Sequence, residues 1–198
     1  MIAIIDYGSG NLRSIANAFR RIGADARVTS DPQILAAADA LVLPGVGAFG
    51  SAMAKLEDLR ETLLGNIRDG KPFLGICLGL QVLLSESQES PGVQGLDLIP
   101  GRVIRIPPGN KVPHMGWNQL VIVKDSQLLE GAEDEYFYFV HSYYAEPSTD
   151  VVVARTDYGV EMTAAIESDN IHATQFHPEK SGEAGLDVLR NFVEIIRA

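Results

Sequence analysis

The sequence is short of cysteine, tryptophan and basic side chains, and it has no long apolar run. One cysteine among 198 residues excludes an internal disulfide and fits a reducing cytoplasm. Lysine and arginine total 16 against 26 acidic residues, and the resulting net charge of -10 argues against a nucleic-acid partner. The apolar opening at residues 1–5 is short and is followed by Asp6, so we expect no signal peptide and no membrane span.

What the sequence does contain is typical of one globular domain. Hydrophobic residues make up 46% of the chain and charged residues 21%, and a chain of this length can bury a substantial core. There is no linker, internal repeat or low-complexity tract, so we expect residues 1–198 to form a single domain. Two classes remain, small-molecule enzymes and partner-binding proteins.

Strand, turn and helix patterns repeat four times in the first half of the chain. A continuous apolar, β-branched run predicts a buried parallel strand at residues 2–5, and further strands are expected at 26–29, at 40–43 and in an apolar run that opens at Pro72. Helical patterns are expected at residues 12–22, after Asp31, at 51–70 and at 80–84. The repetition predicts an α/β fold with a mostly parallel central sheet and helices on both faces.

The second half predicts further strands and one closing helix. Strands are expected at residues 102–106, 136–140, 151–155, 163–167 and 171–176, and an amphipathic helix at 183–197. Residues 168–170 should turn a hairpin between the last two strands. The polar segment 85–95 is expected to be an exposed loop. The segment 111–118 shows neither a helical nor a strand period. Its tryptophan could form a lid or a contact surface, or it could pack as a cap on the core.

The stretch Gly75-Ile76-Cys77-Leu78-Gly79 lies between a strand pattern and a helix pattern. Strand, Gly-x-nucleophile-x-Gly and helix is the pattern of a nucleophile elbow, which exposes the central side chain at the carboxyl edge of a sheet. The helix that follows would favour the thiolate form of Cys77. A buried structural cysteine is the alternative, but a packing cysteine needs neither glycine.

His177-Pro178-Glu179 follows the last predicted strand and offers a base with its orienting group. A cysteine nucleophile needs a base within hydrogen-bond reach and a group that orients the base. An extended backbone would place Glu179 on the same side as His177. Taken alone, this tripeptide equally fits a solvated surface pair or a helix-capping cluster. Combined with an elbow cysteine at the same sheet edge, it predicts acyl transfer or hydrolysis through a thioester.

Such chemistry needs hydrogen-bond donors aimed at the oxyanion. The elbow offers the amide of Leu78, and the Pro44-Gly45-Val46-Gly47 loop, one strand away, could present another amide. The alternative for that loop is a plain strand-to-helix turn. Zinc is a poor fit, because the other histidines, His114, His141 and His172, show no ligand spacing with Cys77, and we expect neither a metal nor a cofactor.

These motifs together resemble the triad (class I) glutamine amidotransferases. The segments G-I-C-L-G, P-G-V-G and H-P-E carry the resemblance, which runs from Asp6 almost to the end of the chain in the family's motif order. The segments K-V-P-H-M-G-W-N, Y-F-V-H-S-Y-Y and T-Q-F-H-P-E-K-S resemble the branch of the family that serves histidine biosynthesis. A Gly-Gly-Glu-Ser segment, which the branch that serves pyridoxal phosphate synthesis would show after its third strand, is absent.

The resemblance implies a flavodoxin-like fold and a set of roles. Cys77, His177 and Glu179 would be the catalytic triad of a glutaminase, with Val46, Gly47 and Leu78 around the oxyanion. Glutamine would be held by Gly45, Gln81, Glu89, Ser142 and Tyr143. Asn11, Trp117 and Lys180 would face a partner, a (β/α)8-barrel cyclase subunit that uses the ammonia to make imidazole glycerol phosphate and an aminoimidazole carboxamide ribotide.

Two other classes of protein fit the sequence less well. A binding module that had kept the fold without catalysis would be expected to lose one of Cys77, His177 or Glu179, and the sequence holds all three. A cysteine peptidase or a chaperone-like hydrolase would use the same elbow. Such a protein would have no reason to contain the H-M-G-W-N segment or the P-G-V-G turn.

Overall fold

An eight-stranded sheet runs through the centre of the computed structural model, which describes all 198 residues, and two smaller sheets of three and two strands accompany it. The strands of the three sheets are, in chain order, β1 Ile2–Ile5, β2 Ala26–Thr29, β3 Ala40–Gly45, β4 Phe73–Cys77, β5 Leu84–Ser87, β6 Ile99–Arg105, β7 His114–Gln119, β8 Val121–Ile122, β9 Tyr136–His141, β10 Tyr143–Pro147, β11 Val152–Asp157, β12 Glu161–Ser168 and β13 Ile171–Thr174. The helices are α1 Leu12–Arg21, α2 Pro32–Ala37, α3 Phe49–Leu56, α4 Arg60–Arg68, α5 Leu78–Gln81 and α6 Gly182–Arg197.

The strand order of the central sheet is β2-β1-β3-β4-β13-β12-β11-β8. Neighbours from β2 to β13 pair in parallel, and the remaining strands pair antiparallel. The first four positions follow the flavodoxin-like order, with β13 in the fifth position. The mostly parallel sheet predicted from the sequence is therefore confirmed, and an antiparallel extension completes it.

Helices cover both faces of the sheet, as the sequence predicted. Along β1, the side chains of Ala3 and Ile5 join one core cluster, together with buried residues of α2, α3 and α4. Ile2 and Ile4 join the other cluster, together with buried residues of α1 and α6. Successive strand residues point to opposite faces, so a run that is apolar at every position is buried on both sides. No helix is long and apolar enough to cross a membrane.

The helix expected at residues 80–84 is shorter than predicted. The helix α5 ends at Gln81 after one turn, and Leu84 already begins β5. The returning chain explains this difference, because the amide of Leu96 donates to the carbonyl of Val82, and the amides of Leu98 and Ile99 donate to the carbonyl of Leu83. Part of the segment expected to be a loop is consequently strand, in a small sheet of order β10-β6-β5.

The tryptophan segment, for which no regular structure was predicted, forms the strand β7. It pairs antiparallel with β9 in a two-stranded sheet, with Trp117 opposite Tyr138. Exposure alternates along β7, but the apolar side chains of Met115 and Trp117 face outward while His114 is buried. The period of two was present in the sequence. It was missed because its apolar face is the exposed one.

Candidate active site

Cys77 ends β4 in a strained conformation, with φ 55° and ψ -105°. The sharp turn therefore falls on the cysteine itself, and the two flanking glycines serve a different purpose. A Cβ on Gly75 would lie 2.7 Å from the carbonyl oxygen of Gly79, and one on Gly79 would lie 1.9 Å from that of Leu43. Because both glycines are required by close backbone approach, the elbow predicted from the sequence has a steric basis here.

The sheet order brings His177 and Glu179 to the elbow. Strand β13 lies beside β4 with Thr174 opposite Ile76, so the chain leaves β13 next to Cys77. Nδ1 of His177 lies 2.9 Å from Oε1 of Glu179, and the two side chains are 2% and 1% exposed. Residues 178–180 form a 3₁₀ turn rather than the extended backbone we expected. The pairing was predicted correctly, but the backbone geometry that produces it was not.

The loop that carries His177 is fastened to β9. The amide of His177 donates to the carbonyl of Tyr138 over 2.9 Å. Oγ of Ser181 accepts from the amide of Tyr138 over 2.9 Å and donates to the carbonyl of His177 over 2.6 Å. These bonds hold the imidazole in place from the backbone side, while Glu179 holds it through Nδ1.

The electrostatics of the site favour a charged His177. Burial lowers the pKa of His177, but electrostatic interactions with Cys77 and Glu179 outweigh burial and raise that pKa to about 10. The second ring nitrogen, Nε2, is buried and makes no hydrogen bond of normal geometry with another protein group. That nitrogen is therefore available to exchange a proton with the thiol or with a bound substrate.

A cavity of about 450 Å³ opens in front of Cys77. Its walls are formed by Val46, Gly47, Cys77, Leu78, Gln81, Glu89, Pro113, Val140, His141, Ser142, Tyr143 and Lys180. All three residues predicted around the oxyanion are among them, together with four of the five predicted to hold glutamine. His177 and Glu179 are not among these wall residues.

Gly45 is the predicted glutamine-binding residue that does not line the cavity. It ends β3 directly opposite Cys77 in the sheet register. A Cβ at this position would lie 2.6 Å from Cβ of Leu78 and 3.0 Å from the hydroxyl of Tyr7. Gly45 thus spaces the elbow from the neighbouring strand in this structure, and a direct contact with substrate stays a prediction.

Two polar side chains of the cavity are also engaged in the scaffold. Nε2 of Gln81 donates to the carbonyl of Tyr143 over 2.8 Å and to Oε1 of Gln175 over 3.1 Å. Oε2 of Glu89 accepts from the amide of Phe49 over 2.7 Å and so caps the N-terminus of α3. A capping carboxylate in a cavity wall combines a structural role with the capacity to bind a cation.

The loop between β3 and α3 has few packing contacts. Oγ of Ser9, in the turn after β1, donates to the carbonyl of Val46 over 2.8 Å. Gly47 has φ 108°, and a Cβ placed on it would meet nothing within 4 Å. Val46 is 39% exposed. The loop therefore owes its shape to backbone conformation and to one side-chain contact.

Sequence reasoning missed Gln175 as a member of the site. This fully buried residue places Nε2 3.5 Å from the sulfur of Cys77 and accepts from Gln81 through Oε1. A polar residue at the end of an otherwise apolar strand pattern, two positions before His177, was the available signal. Pro113, Val140 and His141 also line the cavity without having been predicted to do so.

Of the three residues predicted to face a partner, Trp117 and Lys180 share one surface, whereas Asn11 caps a helix. Trp117 is 54% exposed and stands edge-on to Tyr138, with ring centroids 6.0 Å apart, and Nζ of Lys180 lies 5.8 Å from the centre of the same Tyr138 ring. Trp117, Tyr138 and Lys180 thus form one continuous surface beside the cavity. Asn11 caps α1 by accepting from the amide of Ser14 over 3.4 Å.

A thiol, a buried histidine and a buried carboxylate at the carboxyl edge of a parallel sheet define the class of hydrolases and transferases that work through a covalent thioester. Within that class, the chain belongs to the class-I glutamine amidotransferase family, which matches residues 3–196.

Individual relatives agree with this family. An imidazole glycerol phosphate synthase subunit HisH from Methanothermobacter thermautotrophicus is 96% identical over 198 residues, covering 100% of both chains. The subunit of the same name from Methanocaldococcus jannaschii is 51% identical over 197 residues, covering 99% of this chain and 100% of its own. A solved glutamine amidotransferase matches in fold with a TM-score of 0.80 at 19% identity, covering 100% of both chains.

Proposed function

We propose that this chain is the glutaminase subunit of an imidazole glycerol phosphate synthase. It hydrolyses glutamine to glutamate and ammonia and delivers the ammonia to a cyclase subunit in histidine biosynthesis. The proposal draws on relatives of that name at 96% and 51% identity over nearly the whole chain. The observation that carries the catalytic part is the buried His177–Glu179 pair beside the elbow cysteine.

In the proposed reaction, Sγ of Cys77 attacks the side-chain carbonyl carbon of glutamine and forms a carbon–sulfur bond. The carbon–nitrogen bond then breaks, and protonated His177 supplies a proton to the leaving ammonia from Nε2. Water, deprotonated by the now neutral His177, attacks the thioester and releases glutamate and the thiol. Glu179 accepts a hydrogen bond from Nδ1 throughout, which fixes the tautomer and stabilises the imidazolium.

The oxyanion formed in both steps requires donors in the cavity wall. Leu78 follows Cys77 at the start of α5, and Val46 and Gly47 lie in the loop one strand away, so their amides are the proposed donors. The amino-acid end of glutamine would meet Glu89, Gln81 and the backbone of Ser142 and Tyr143, which also line the cavity. The carboxylate of Glu89 suits the substrate ammonium group.

The cyclase partner would dock on the exposed surface formed by Trp117, Tyr138 and Lys180. Tryptophan and tyrosine are enriched at protein interfaces, and Lys180 joins this surface to the cavity that it lines. Ammonia released at Cys77 would then pass into a (β/α)8 barrel without entering bulk water. Asn11 is proposed to extend the contact, and the complex is proposed to work in the cytoplasm.

Reconstitution with the cyclase tests this function. Cys77→Ala should abolish glutamine-dependent synthesis of imidazole glycerol phosphate while the complex still uses added ammonium. A wild-type complex that hydrolyses no glutamine would contradict the proposal. Loss of the ammonium-dependent reaction as well would show that Cys77 supports the interface or the fold instead of the chemistry.

A further inference from the structure

Two buried histidines are not used in the reaction described above, His141 in the cavity wall and His114 beside it. Nδ1 of His114 lies 3.0 Å from Nε2 of His141, and Nδ1 of His141 lies 2.9 Å from the carbonyl oxygen of Tyr143. On the other side, Nδ2 of Asn118 lies 3.4 Å from Nε2 of His114. These contacts form a continuous chain from strand β7 to the backbone of Tyr143.

The direction of every hydrogen bond in this series follows from the carbonyl of Tyr143, which ends it. A carbonyl oxygen only accepts, so His141 must carry its proton on Nδ1. Burial lowers the pKa of His141 to about 3, and the hydrogen bond to Tyr143 only partly opposes this effect. Neutral His141 therefore has a bare Nε2, which accepts from Nδ1–H of His114.

The same argument extends to His114. Burial lowers its pKa as well, so its ring is also neutral and its Nε2 also lacks a proton. The side-chain amide of Asn118 then donates to that nitrogen, while it also donates to the carbonyl of Asp157 over 2.8 Å. Both histidines are consequently in the Nδ1–H form, and each bond in the chain points toward Tyr143.

Aromatic packing holds the first ring of the pair. The ring of His114 stacks on Tyr158 and on Phe139, with centroids 4.1 Å and 5.0 Å away. The hydroxyl of Tyr158 donates in turn to the carbonyl of Lys111 over 2.9 Å. A ring stacked on two neighbours and hydrogen-bonded through both nitrogens has little freedom, so it can hold His141 in one orientation.

The carbonyl of Tyr143 is the point where this chain meets the substrate wall. It accepts from His141 and also from Nε2 of Gln81, over 2.9 Å and 2.8 Å. Two donors satisfy both lone pairs of this oxygen and fix the plane of its peptide group. The backbone of Ser142 and Tyr143 then presents a fixed set of groups to the cavity.

We infer that His114 and His141 are positioning residues that set the backbone of Ser142 and Tyr143 for the amino-acid end of the substrate. This inference rests on the proposed function, because it takes glutamine as the occupant of the cavity. The two histidines act through the Tyr143 carbonyl and do not touch the reacting atoms. They therefore govern the affinity for the substrate rather than the reactivity of the thiol.

Two substitutions of His114 separate the hydrogen bond from the packing. His114→Phe keeps the stacked ring and removes both hydrogen bonds, which leaves Nε2 of His141 without a donor. His114→Asn loses the stacking but places an amide nitrogen where Nδ1 was, so it can still donate to His141. If the bond positions the wall, the asparagine variant should behave more like the wild type than the phenylalanine variant does.

Covalent labelling of the full chain measures the effect, with 6-diazo-5-oxonorleucine as a glutamine-shaped reagent and iodoacetamide as a small one. We expect His114→Phe to raise the half-saturating concentration of the glutamine-shaped reagent roughly tenfold, the value of one buried hydrogen bond. Its maximal labelling rate and the iodoacetamide rate should stay within about twofold. His114→Asn should raise the half-saturating concentration less than about threefold.

Three results would overturn the inference: no change in His114→Phe, equal changes in the two variants, or equal losses with both reagents. A wild-type chain that shows no preference for the glutamine-shaped reagent would instead contradict the proposed function. Nitrogen-15 spectra of the histidine rings of the wild-type chain give a test that needs no variant. Both rings must report the Nδ1–H form, and an Nε2–H form of either would contradict the chain of bonds.

Discussion

The elbow at Cys77 and the loop around Val46 follow neighbouring strands and face the same cavity, yet they are held in different ways. At the elbow, a Cβ on Gly79 would lie 1.9 Å from a backbone oxygen, so the surrounding backbone leaves one arrangement. In the loop, Gly47 has open space around it and φ 108°, so conformation alone demands glycine there. The nucleophile is fixed by close backbone contact, whereas Gly47, beside two of the proposed oxyanion donors, has open space around it.

This difference separates two tasks of the site. A nucleophile must stay close to its base, and tight packing secures that distance. A donor that can turn away lets the protein suppress the reaction until a partner is present, since one oxyanion donor contributes about 10²–10³ in kcat. Glycines flank Val46 on both sides, so we expect the Gly45–Val46 peptide to have a second accessible orientation, which the partner would select against.

The largest effect should come from the fixed region. His177→Ala should lower glutamine hydrolysis by at least about 10³-fold, and the double variant with Cys77→Ala should lose no more than the single variants, because the two residues act as a unit. Steady-state hydrolysis in the complex is the measurement, with ammonium-dependent synthesis as the control. Losses that multiply in the double variant would show that the two residues act independently.

The second effect belongs to the loop around Val46. Binding of the cyclase and its nucleotide ligand should raise the glutaminase kcat by at least about two orders of magnitude, the contribution of one donor. The glutamine KM should change much less. Lys180→Ala and Trp117→Ala should weaken this activation without altering the triad. Full turnover by the purified chain alone would remove the distinction between the two regions.

The third effect compares one glycine from each region. Gly79→Ala should lower the free energy of unfolding by about 3 kcal/mol or more, because the added methyl group overlaps a backbone oxygen. Gly47→Ala should cost only about 1–2 kcal/mol, the price of a left-handed backbone. Urea titrations of both variants measure the difference. Equal losses would mean that the loop is packed as firmly as the elbow.

The smallest effect concerns Glu89, which contacts the loop side of the cavity. Glu89→Gln keeps an oxygen to cap α3 and removes the charge, so stability should change by less than about 0.5 kcal/mol. The glutamine KM should rise about tenfold with kcat nearly constant, as expected for a contact made equally in ground and transition states. An unchanged KM would exclude Glu89 from substrate binding.

The sequence predicted the elements that are buried on both faces better than those that are buried on one. Strands β1, β3 and β4 are buried at every position, and their bounds were nearly correct. The length of α5 depended on backbone bonds from residues 96–99, which no local pattern reveals. Strand β7 was missed because Met115 and Trp117 face outward.

The candidate site was predictable where a motif encodes its own geometry. Flanking glycines marked Cys77, and the short spacing between His177 and Glu179 marked the pair. Gln175 and the two histidines behind Tyr143 reach the site only through the pairing of strands distant in sequence. Such contacts depend on tertiary structure, and a single sequence carries little trace of them.

The position of β13 beside β4 also bears on how the protein is made. Gln175 meets Cys77 across 98 positions of the chain, and β13 pairs with β4 only after most of the polypeptide exists. Because domains form such long-range pairings late in synthesis, a nascent or truncated chain holds the nucleophile without its base. We therefore expect a chain that ends before β13 to release no ammonia from glutamine, so that only the complete sheet hydrolyses it.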